Sequence, residues 1–394
     1  FGSSALHPSI MRALRLRSGR PVVRRWVSTE ADAPALHTGE LQLQKHSNGC
    51  VEYTLNRPKK LNALSLDQAI TMSNHLPLLD QDTQCKMVLV NGAGHKAFCA
   101  GGDIDRIVDE SNSGWNLRWF ATEYRMNYRI SKFQKPYVAM WRGIVMGGGV
   151  GISIFGSYRV ATENTLFAMP ETGIGFFPDV GASYFLPRLS APGLGLFLGL
   201  TGHRCNGADA LHQGIATHFV PLGAVEEVTA ALLRANFEAD AHSTVRNILD
   251  DFRAEPETAP TLNEGCLENV AKYFGAPESL EHLLDTLEAD ADTSCFAGKT
   301  LRLLRSKCPL SCAVAFRQLR RGRDLSLAEC LQMEYQLAAS FTHVDNYNMR
   351  EGVRCTLHDK DSKPEYRPRS IEAVTADELD KIFLGVPGDT LDLE

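Results

Sequence analysis

Alternating apolar and polar residues mark the first regular part of the chain. Residues 50–55 (CVEYTL) alternate like a half-buried strand, and residues 87–90 (MVLV) form the short apolar run of a fully buried strand. Pro58 interrupts the pattern after the first strand, and Ser65 is a residue type that starts helices. The pattern therefore predicts a strand, a break, a helix and a second strand, and the glycines of residues 92–102 (GAGHKAFCAGG) predict a loop after it.

The middle of the chain continues this alternation of element types. Residues 114–131 carry aromatic and aliphatic side chains at helical spacing, and residues 137–141 read as a buried strand. A glycine-rich stretch then leads into a predicted helix that runs through Phe155, and short strands are predicted at 159–161 and 167–169. Strands that alternate with helices predict an α/β fold rather than an all-helical or all-β one.

The last third of the chain has a different pattern. From about Val225 onward, leucine and alanine recur at helical spacing between polar, proline-containing breaks. The sequence therefore predicts three parts: a leader at 1–37, an α/β core at 38–235 and a helical carboxy-terminal region at 236–394.

Composition excludes several classes of protein. The 394 residues are 44% hydrophobic and 22% charged, with a net charge of −6, which is typical of a globular protein and unlike a DNA-binding one. We find no run of about 20 apolar residues that would span a bilayer. The ten cysteines are scattered without the spacing of a metal site, so we expect reduced, packed thiols and no bound metal.

The amino terminus is rich in arginine and serine and contains no acidic residue before Glu30. Its arginines are Arg12, Arg15, Arg17, Arg20, Arg24 and Arg25. Such a leader predicts a mitochondrial transit peptide and hence a matrix protein. A disordered basic tail remains the alternative.

Two glycine loops are the first candidates for chemistry. Residues 100–103 (AGGD) and 147–149 (GGG) each follow a strand-like run and precede a helix-like one. Glycine lets the backbone approach a ligand, and two converging N–H groups would form an oxyanion hole for a polarised carbonyl. Tight packing or a turn is the alternative explanation, and the signature of a phosphate-binding loop is absent.

Two acidic residues lie in the apolar stretch at 169–188. Glu171 and Asp179 are either exposed or held in a pocket that raises their pKa values, where they would divide base, nucleophile and acid roles. The alternative is structural: Asp179 would cap a helix beginning at Val180, and Glu171 would face solvent.

Several motifs in order resemble the enoyl-CoA hydratase/isomerase, or crotonase, superfamily. They are NRPKKLNALS (56–65), KAFCAGGDI (96–104), KPYVAMWRGIVMGGGVGIS (135–153), VATENTLFAMPETGIGFFPDVGASYFLPRL (160–189) and ALHQGIATHFV (210–220). MEYQLA (333–338), REGVR (350–354) and DKDSKPEY (359–366) resemble its 3-hydroxyisobutyryl-CoA hydrolase branch. The resemblance covers about residues 40–385 and implies a crotonase fold of repeated ββα units followed by helices that cover the site.

The resemblance also implies site residues. It implies an oxyanion hole from the amides of Gly102 and Gly148, substrate contacts at Glu123, Gly148, Glu171 and Asp179, and neighbours of the CoA phosphates at Lys59 and Lys60. Two alternatives stay open. Glu123 would pair on a helix surface with Arg118 or Arg125, and the two lysines would belong to an ordinary solvated loop.

One position separates the activities in this superfamily. Hydratases carry a second catalytic glutamate just after the triple glycine, where this chain has Gly151, and usually a glycine where it has Asp179. The resemblance therefore implies hydrolysis of 3-hydroxyisobutyryl-CoA, or of another short 3-hydroxyacyl-CoA, to the acid and CoA in valine catabolism. Glu171 would attack the thioester or activate water, and no cofactor is required beyond the CoA of the substrate.

Two other functions remain open. Members of this branch also occur as subunits of mitochondrial ribosomes, and the arginines of AVAFRQLRRGR (313–323) are a candidate RNA contact, although a solvated helix end explains them too. Hydration or isomerisation of a double bond is the second alternative. The resemblance leaves a homo-oligomer open. Trp141 and Arg142 depart from the usual pattern and would alter local packing, while Ala182 and Ser183 depart from it and would narrow the pocket or shift the acyl preference.

Overall fold

The computed structural model describes residues 39–109, 114–238, 240–343, 346–360, 362–385 and 390–393. The predicted leader, residues 1–37, lies outside the described residues. The strands of the described part are β1 (Leu41–Lys45), β2 (Cys50–Leu55), β3 (Met87–Gly92), β4 (Ala97–Cys99), β5 (Tyr137–Trp141), β6 (Ile144–Met146), β7 (Tyr158–Ala161), β8 (Leu166–Ala168), β9 (Cys205–Asn206) and β10 (His218–Phe219).

The strands form two sheets. The first has the order β1-β2-β3-β5-β7-β10, with β1 antiparallel to β2 and the remaining neighbours parallel. The second has the order β4-β6-β8-β9, in which only the β8–β9 pairing is antiparallel. Successive strands of the two sheets alternate along the chain from β3 to β8, so a strand of each sheet follows a strand of the other.

Helices separate the strands and then continue alone. Those in the core are α1 (Leu66–Gln81), α2 (Ile104–Asp109), α3 (Trp115–Lys132), α4 (Gly148–Gly151), α5 (Ala182–Phe185), α6 (Leu194–Thr201), α7 (Gly207–His212) and α8 (Val225–Arg234). Those after it are α9 (Ala241–Asp251), α10 (Glu264–Phe274), α11 (Leu280–Ala289), α12 (Cys295–Arg305), α13 (Pro309–Gly322), α14 (Leu327–Thr342), α15 (Tyr347–Val353) and α16 (Ala376–Leu384). No helix in the described ranges is both long and apolar enough to cross a bilayer.

Both faces of the first sheet are covered, which explains why its central strand is apolar throughout. Because side chains alternate along a strand, Val88 and Val90 of β3 enter the larger apolar cluster, while Met87 and Leu89 enter a smaller one on the opposite face. Helices α8 and α9 close the smaller cluster. The larger cluster continues into the carboxy-terminal helices, where α14 packs on α3.

The structure confirms most of the predicted elements. The predicted strands at 50–55 and 137–141 are β2 and β5, and the helix predicted at 114–131 is α3. The predicted helix start at Ser65 is also confirmed, since its hydroxyl accepts from the Gln68 amide and the Gln68 side chain accepts from the Ser65 amide.

Two predictions near the glycine loops are wrong. The helix expected to reach Phe155 ends at Gly151, because glycine contributes little to helix stability. The stretch at 92–102 was expected to be a loop throughout, but it contains β4. Strand β4 pairs in parallel with β6, which brings the two glycine loops to the same end of the second sheet.

Candidate active site

The two glycine loops face each other across a small space. A methyl group added to the α carbon of Gly148 would lie 3.2 Å from the backbone nitrogen of Gly102. Neither of these two amides donates a hydrogen bond to an acceptor within the described residues. Gly148 is also the first residue of α4, so its N–H is not used inside the helix. The two free N–H groups therefore have the proximity that an oxyanion hole requires.

Glu123 reaches this space from α3. The same added methyl at Gly148 would lie 2.5 Å from Oε1 of Glu123, so any side chain at position 148 would displace the carboxyl. Glu123 is 2% exposed, and its Oε1 has no hydrogen-bond partner. The surface-pairing alternative for Glu123 is wrong, because the residue is buried and Arg125 contacts Asp392 instead.

Glu171 opens a short 3₁₀ turn, Glu171–Ile174, that follows β8. Its Oε1 lies 3.2 Å from the position of a methyl added to Gly147, and its Oε2 has no hydrogen-bond partner. The residue is 5% exposed, so the solvent-facing alternative is wrong. The turn is fixed by late parts of the chain. The Cys308 amide donates to the Thr172 carbonyl at 2.9 Å, and the Tyr366 hydroxyl donates to the Gly173 carbonyl at 2.8 Å.

Asp179 completes the group of buried acids. The hydroxyl of Tyr124, on α3, donates to its Oδ2 at 2.8 Å, and Asp179 is 6% exposed. The helix-cap alternative is wrong, because α5 begins at Ala182 with Gly181 as its preceding residue and no side chain caps it. Asp179 is therefore a buried carboxyl that shares its surroundings with Glu123 and Glu171.

The electrostatics of the three acids follow from their burial. Burial, followed by the neighbouring Asp179 carboxyl, raises the pKa of Glu171 and of Glu123 well above the usual range. The indole of Trp119 opposes the shift at Glu123, although its N–H makes no hydrogen bond of normal geometry. Burial raises the pKa of Asp179 to about 7, against the opposing hydrogen bond from Tyr124. Near neutral pH the group can therefore hold and exchange protons.

Comparison with known proteins assigns this arrangement to a family. The model of the enoyl-CoA hydratase/isomerase family matches residues 50–383. The chain belongs to that family. A relative from Xenopus laevis, named 3-hydroxyisobutyryl-CoA hydrolase, mitochondrial, is 42% identical over 84% of this chain and 85% of its own length. The human protein of the same name is 39% identical over 87% of this chain and 88% of its own length.

Solved structures of the family agree with the fold. A carnitinyl-CoA dehydratase from Mycobacterium thermoresistibile superposes with a TM-score of 0.81 at 32% identity, covering 90% of this chain and 99% of that one. An enoyl-CoA hydratase from Rhodobacter sphaeroides gives a TM-score of 0.78 at 30% identity with the same coverage. The predicted α/β crotonase fold is thereby confirmed.

Gly151, just after the triple glycine, is packed so closely that a glutamate side chain has no space there. A methyl added there would lie 2.8 Å from Nδ2 of Asn127 and 2.8 Å from Cβ of Val180. A longer side chain would therefore require both neighbours to move. By the family resemblance this is the position of the second hydratase acid, and in this chain Asn127 and Val180 pack against it.

Lys59 and Lys60 lie in the exposed turn Pro58–Lys60. Lys60 forms an ion pair with Asp103 at 3.1 Å, and Arg57 contacts the same carboxylate at 2.6 Å. Asp103 directly follows Gly102, so this basic turn borders one of the free amides. The structure thus brings the lysines to the edge of the site, while their contact with CoA stays a prediction.

The arginines of α13 are already engaged within the chain. Arg317 forms an ion pair with Asp380 at 2.5 Å, and both Arg317 and Arg321 stack on Phe383. Arg320 donates to the carbonyl of Glu278 at 2.5 Å. These contacts account for three of the four arginines of 313–323, and an RNA contact stays a prediction.

Sequence reasoning missed several residues of the site. The helical spacing of residues 114–131 does not indicate that Tyr124 contacts Asp179, or that Cζ2 of Trp119 would lie 2.9 Å from a methyl on Gly102. Lys307, partly buried near the Glu171 turn, was not singled out, nor was Glu334. Glu334 had one available signal, because it belongs to the family-like motif MEYQLA.

Proposed function

We propose that this chain hydrolyses the thioester of 3-hydroxyisobutyryl-CoA, releasing the free acid and CoA. The observation that carries the proposal is a group of three buried carboxyls, two of which lie beside the glycine loops that hold the unused amides of Gly102 and Gly148. The names of its relatives support the choice of substrate, and Gly151, packed against Asn127 and Val180, disfavours hydration.

The amides of Gly102 and Gly148 would bind the thioester oxygen. Neither amide is used by the described part of the protein itself, so both are available to stabilise the negative charge of the tetrahedral intermediate without reorganising. Each such donor is typically worth about 3–4 kcal/mol of barrier. A thioester is already activated towards attack, and we therefore propose that the reaction needs no metal and no redox cofactor.

Glu171 would act in its ionised form by one of two routes. As a nucleophile, its carboxylate forms a C–O bond to the acyl carbon and the C–S bond breaks, giving a mixed anhydride and the CoA thiolate. Water then cleaves the anhydride, restoring Glu171 and giving the acid. As a general base, Glu171 takes a proton from water, whose oxygen attacks the acyl carbon, and the thiolate leaves and is protonated.

Asp179 and Tyr124 would act together beside the reacting carbon. The Tyr124 hydroxyl holds one carboxyl oxygen of Asp179 and leaves the other free for the substrate hydroxyl or for water. A pKa of about 7 lets Asp179 pass a proton to the leaving thiolate near neutral pH. Glu123 would border the acyl group from α3.

We propose that the protein works in the mitochondrial matrix, in valine breakdown. The arginine-rich leader without acids and the word mitochondrial in the names of its relatives support this location.

The proposal is tested by following CoA release and double-bond hydration with the purified protein. We expect release of CoA from 3-hydroxyisobutyryl-CoA, detected as free thiol, and no loss of the enoyl absorbance of crotonyl-CoA. Hydration of crotonyl-CoA without CoA release would instead identify a hydratase. A protein that processes neither substrate but sediments with mitochondrial ribosomes in a salt-sensitive way would be a scaffold.

Replacing Lys59 and Lys60 by alanine is expected to raise KM for the acyl-CoA by about three- to tenfold and to leave kcat unchanged. The reason is that exposed cations bind phosphate but do not touch the reacting carbon. The effect should shrink as salt is added. Lys272→Ala is the matched control, because Lys272 is 57% exposed in an ion pair and Lys60 is 58% exposed in one. An unchanged KM at low salt would place CoA elsewhere.

A further inference from the structure

The turn that carries Asp179 has an unfavourable backbone. Val180, a buried β-branched residue, has a φ of 52°, and Gly181 has a φ of 84°. A valine in the left-handed region costs free energy, because its branched side chain collides with its own backbone. Such a conformation persists only when surrounding contacts hold it. The structure should therefore contain a group that fixes this turn.

Glu334, on α14, is that group. Its Oε2 accepts from the Gly181 amide at 2.6 Å, and its Oε1 accepts from the Ser183 amide at 2.9 Å and from the Ser183 hydroxyl at 2.5 Å. The side chain is completely buried, at 0% exposure. Three donors, one on Gly181 and two on Ser183, thus bind both oxygens of one carboxyl, which fixes the turn and α14 to each other.

A second buried side chain holds the other end of the turn. Nε2 of Gln318, on α13, donates to the carbonyl of Pro178 at 2.5 Å, and Gln318 is also fully buried. Asp179 therefore lies between two anchor points, Pro178 and Gly181, and both anchors come from the carboxy-terminal helices. No side chain of the α/β core provides a similar bond to the backbone of this turn among the described residues.

We infer that Glu334 is a positioning residue, which holds the Asp179 turn in the conformation that aims the Asp179 carboxyl at the reacting carbon. The inference rests on the proposed function, since it assigns Glu334 a role in the same reaction. Glu334 does not touch the substrate. It acts through Asp179, and its loss should change turnover while leaving the binding of CoA intact.

The substitution Glu334→Gln tests this role with little change in shape. The amide has one oxygen and one NH₂ group, so an N–H donor of the turn would face another donor. We expect kcat to fall by about ten- to a hundredfold, the cost of leaving a buried hydrogen-bond donor without an acceptor, with KM changed by less than about twofold. Glu329→Gln on the same helix is the matched control, because the Glu329 carboxyl is exposed and accepts hydrogen bonds from Ser326 at the start of α14, not from the turn. Unchanged turnover in Glu334→Gln would overturn the inference.

A double mutant separates positioning from a general loss of structure. If Glu334 acts through Asp179, then Glu334→Gln should not slow a protein that already carries Asp179→Asn. If its effect is merely structural, the two losses should multiply, and that result would contradict the inference. Should Glu334→Gln fail to fold, Ser183→Ala removes one of the three donors and is expected to lower kcat by about threefold or more, again only when Asp179 is present. No change in Ser183→Ala would then count against the inference.

Amide hydrogen exchange tests, in the absence of substrate, whether Glu334 holds the Asp179 turn. The Gly181 and Ser183 amides should both exchange slowly in the native protein, and at least one of them should exchange about tenfold faster or more in Glu334→Gln, because glutamine keeps only one of the two acceptor oxygens. Equal exchange in both proteins would overturn the inference. If the native protein releases no CoA from 3-hydroxyisobutyryl-CoA while Glu334→Gln still accelerates exchange, the proposed function is wrong, but Glu334 still holds the Asp179 turn.

Discussion

Glu171→Gln is expected to lower kcat for CoA release by at least about a hundredfold, with little change in KM. The amide has nearly the same shape, but it neither attacks an acyl carbon nor accepts a proton from water. The native activity should also fall as the pH is lowered, because burial raises the pKa of Glu171 and the reaction needs the ionised form. Steady-state thiol release between pH 6 and 9 measures both effects.

The control for this experiment is Glu226→Gln, an exposed glutamate in the first turn of α8. It should retain native turnover. Thermal unfolding of Glu171→Gln shows that the variant is folded, as we expect for a near-isosteric change at a carboxyl whose protonated form is favoured by burial. Turnover close to native in a folded Glu171→Gln would remove Glu171 from the mechanism and, with it, both proposed routes.

Asp179→Asn should give the second large effect, a loss of at least about a hundredfold in kcat together with a gain in stability at alkaline pH. Burial raises the pKa of Asp179 from 3.8 to about 7 in the folded state. Below pH 3.8 the carboxyl is protonated in both states and costs nothing. Between pH 3.8 and 7 the carboxyl ionises in the unfolded chain but stays protonated in the folded chain. The free energy of unfolding therefore decreases as the pH rises through this range. Above pH 7 this penalty is complete and reaches at most about 4 kcal/mol. Asparagine does not ionise and avoids it.

Urea unfolding at pH 5 and pH 8 measures this gain. The free energy of unfolding of Asp179→Asn should exceed the native value at pH 8 by more than it does at pH 5. Asp285→Asn, at an exposed position of α11, is the control and should show no such dependence. A variant less stable than the native protein at pH 8 would mean that the Asp179 carboxyl is stabilised in its ionised form.

Helical spacing and continuous apolar runs predicted the longer elements correctly, but they did not predict the short ones. Strands β3 and β5 are buried on both faces, so their continuous apolar runs were diagnostic. Strands β4 and β6 have three residues each and lie inside glycine-rich stretches. Three residues are too few to show an alternation of apolar and polar side chains. The helix expected through Phe155 was too long, because local spacing did not show that the glycines would end it after one turn.

The site was predictable to the extent that its residues stand in recognisable motifs. The structure places Glu123 beside Gly148 and Glu171 beside Gly147, and Asp179 is near enough to both acids to raise their pKa values. The roles that the family resemblance implied for these residues stay predictions. The partners of these acids could not be foreseen. Tyr124 bonds to Asp179 across 55 positions of sequence, and Glu334 bonds to Ser183 across 151. No local pattern encodes such a pairing, which only the packing of α3 and α14 creates.

The bonds from Cys308 and Tyr366 to the Glu171 turn bear on how a newly synthesised chain matures. The ribosome makes the residues of both sheets first, and early parts of a chain tend to fold before later ones. The carbonyls of Thr172 and Gly173 have no hydrogen-bond donors until Cys308 and Tyr366 have been synthesised, late in translation. A nascent or prematurely terminated chain would therefore contain folded sheets but a Glu171 turn that is not held in place. We expect it to hydrolyse no acyl-CoA until the carboxy-terminal region has packed on the core.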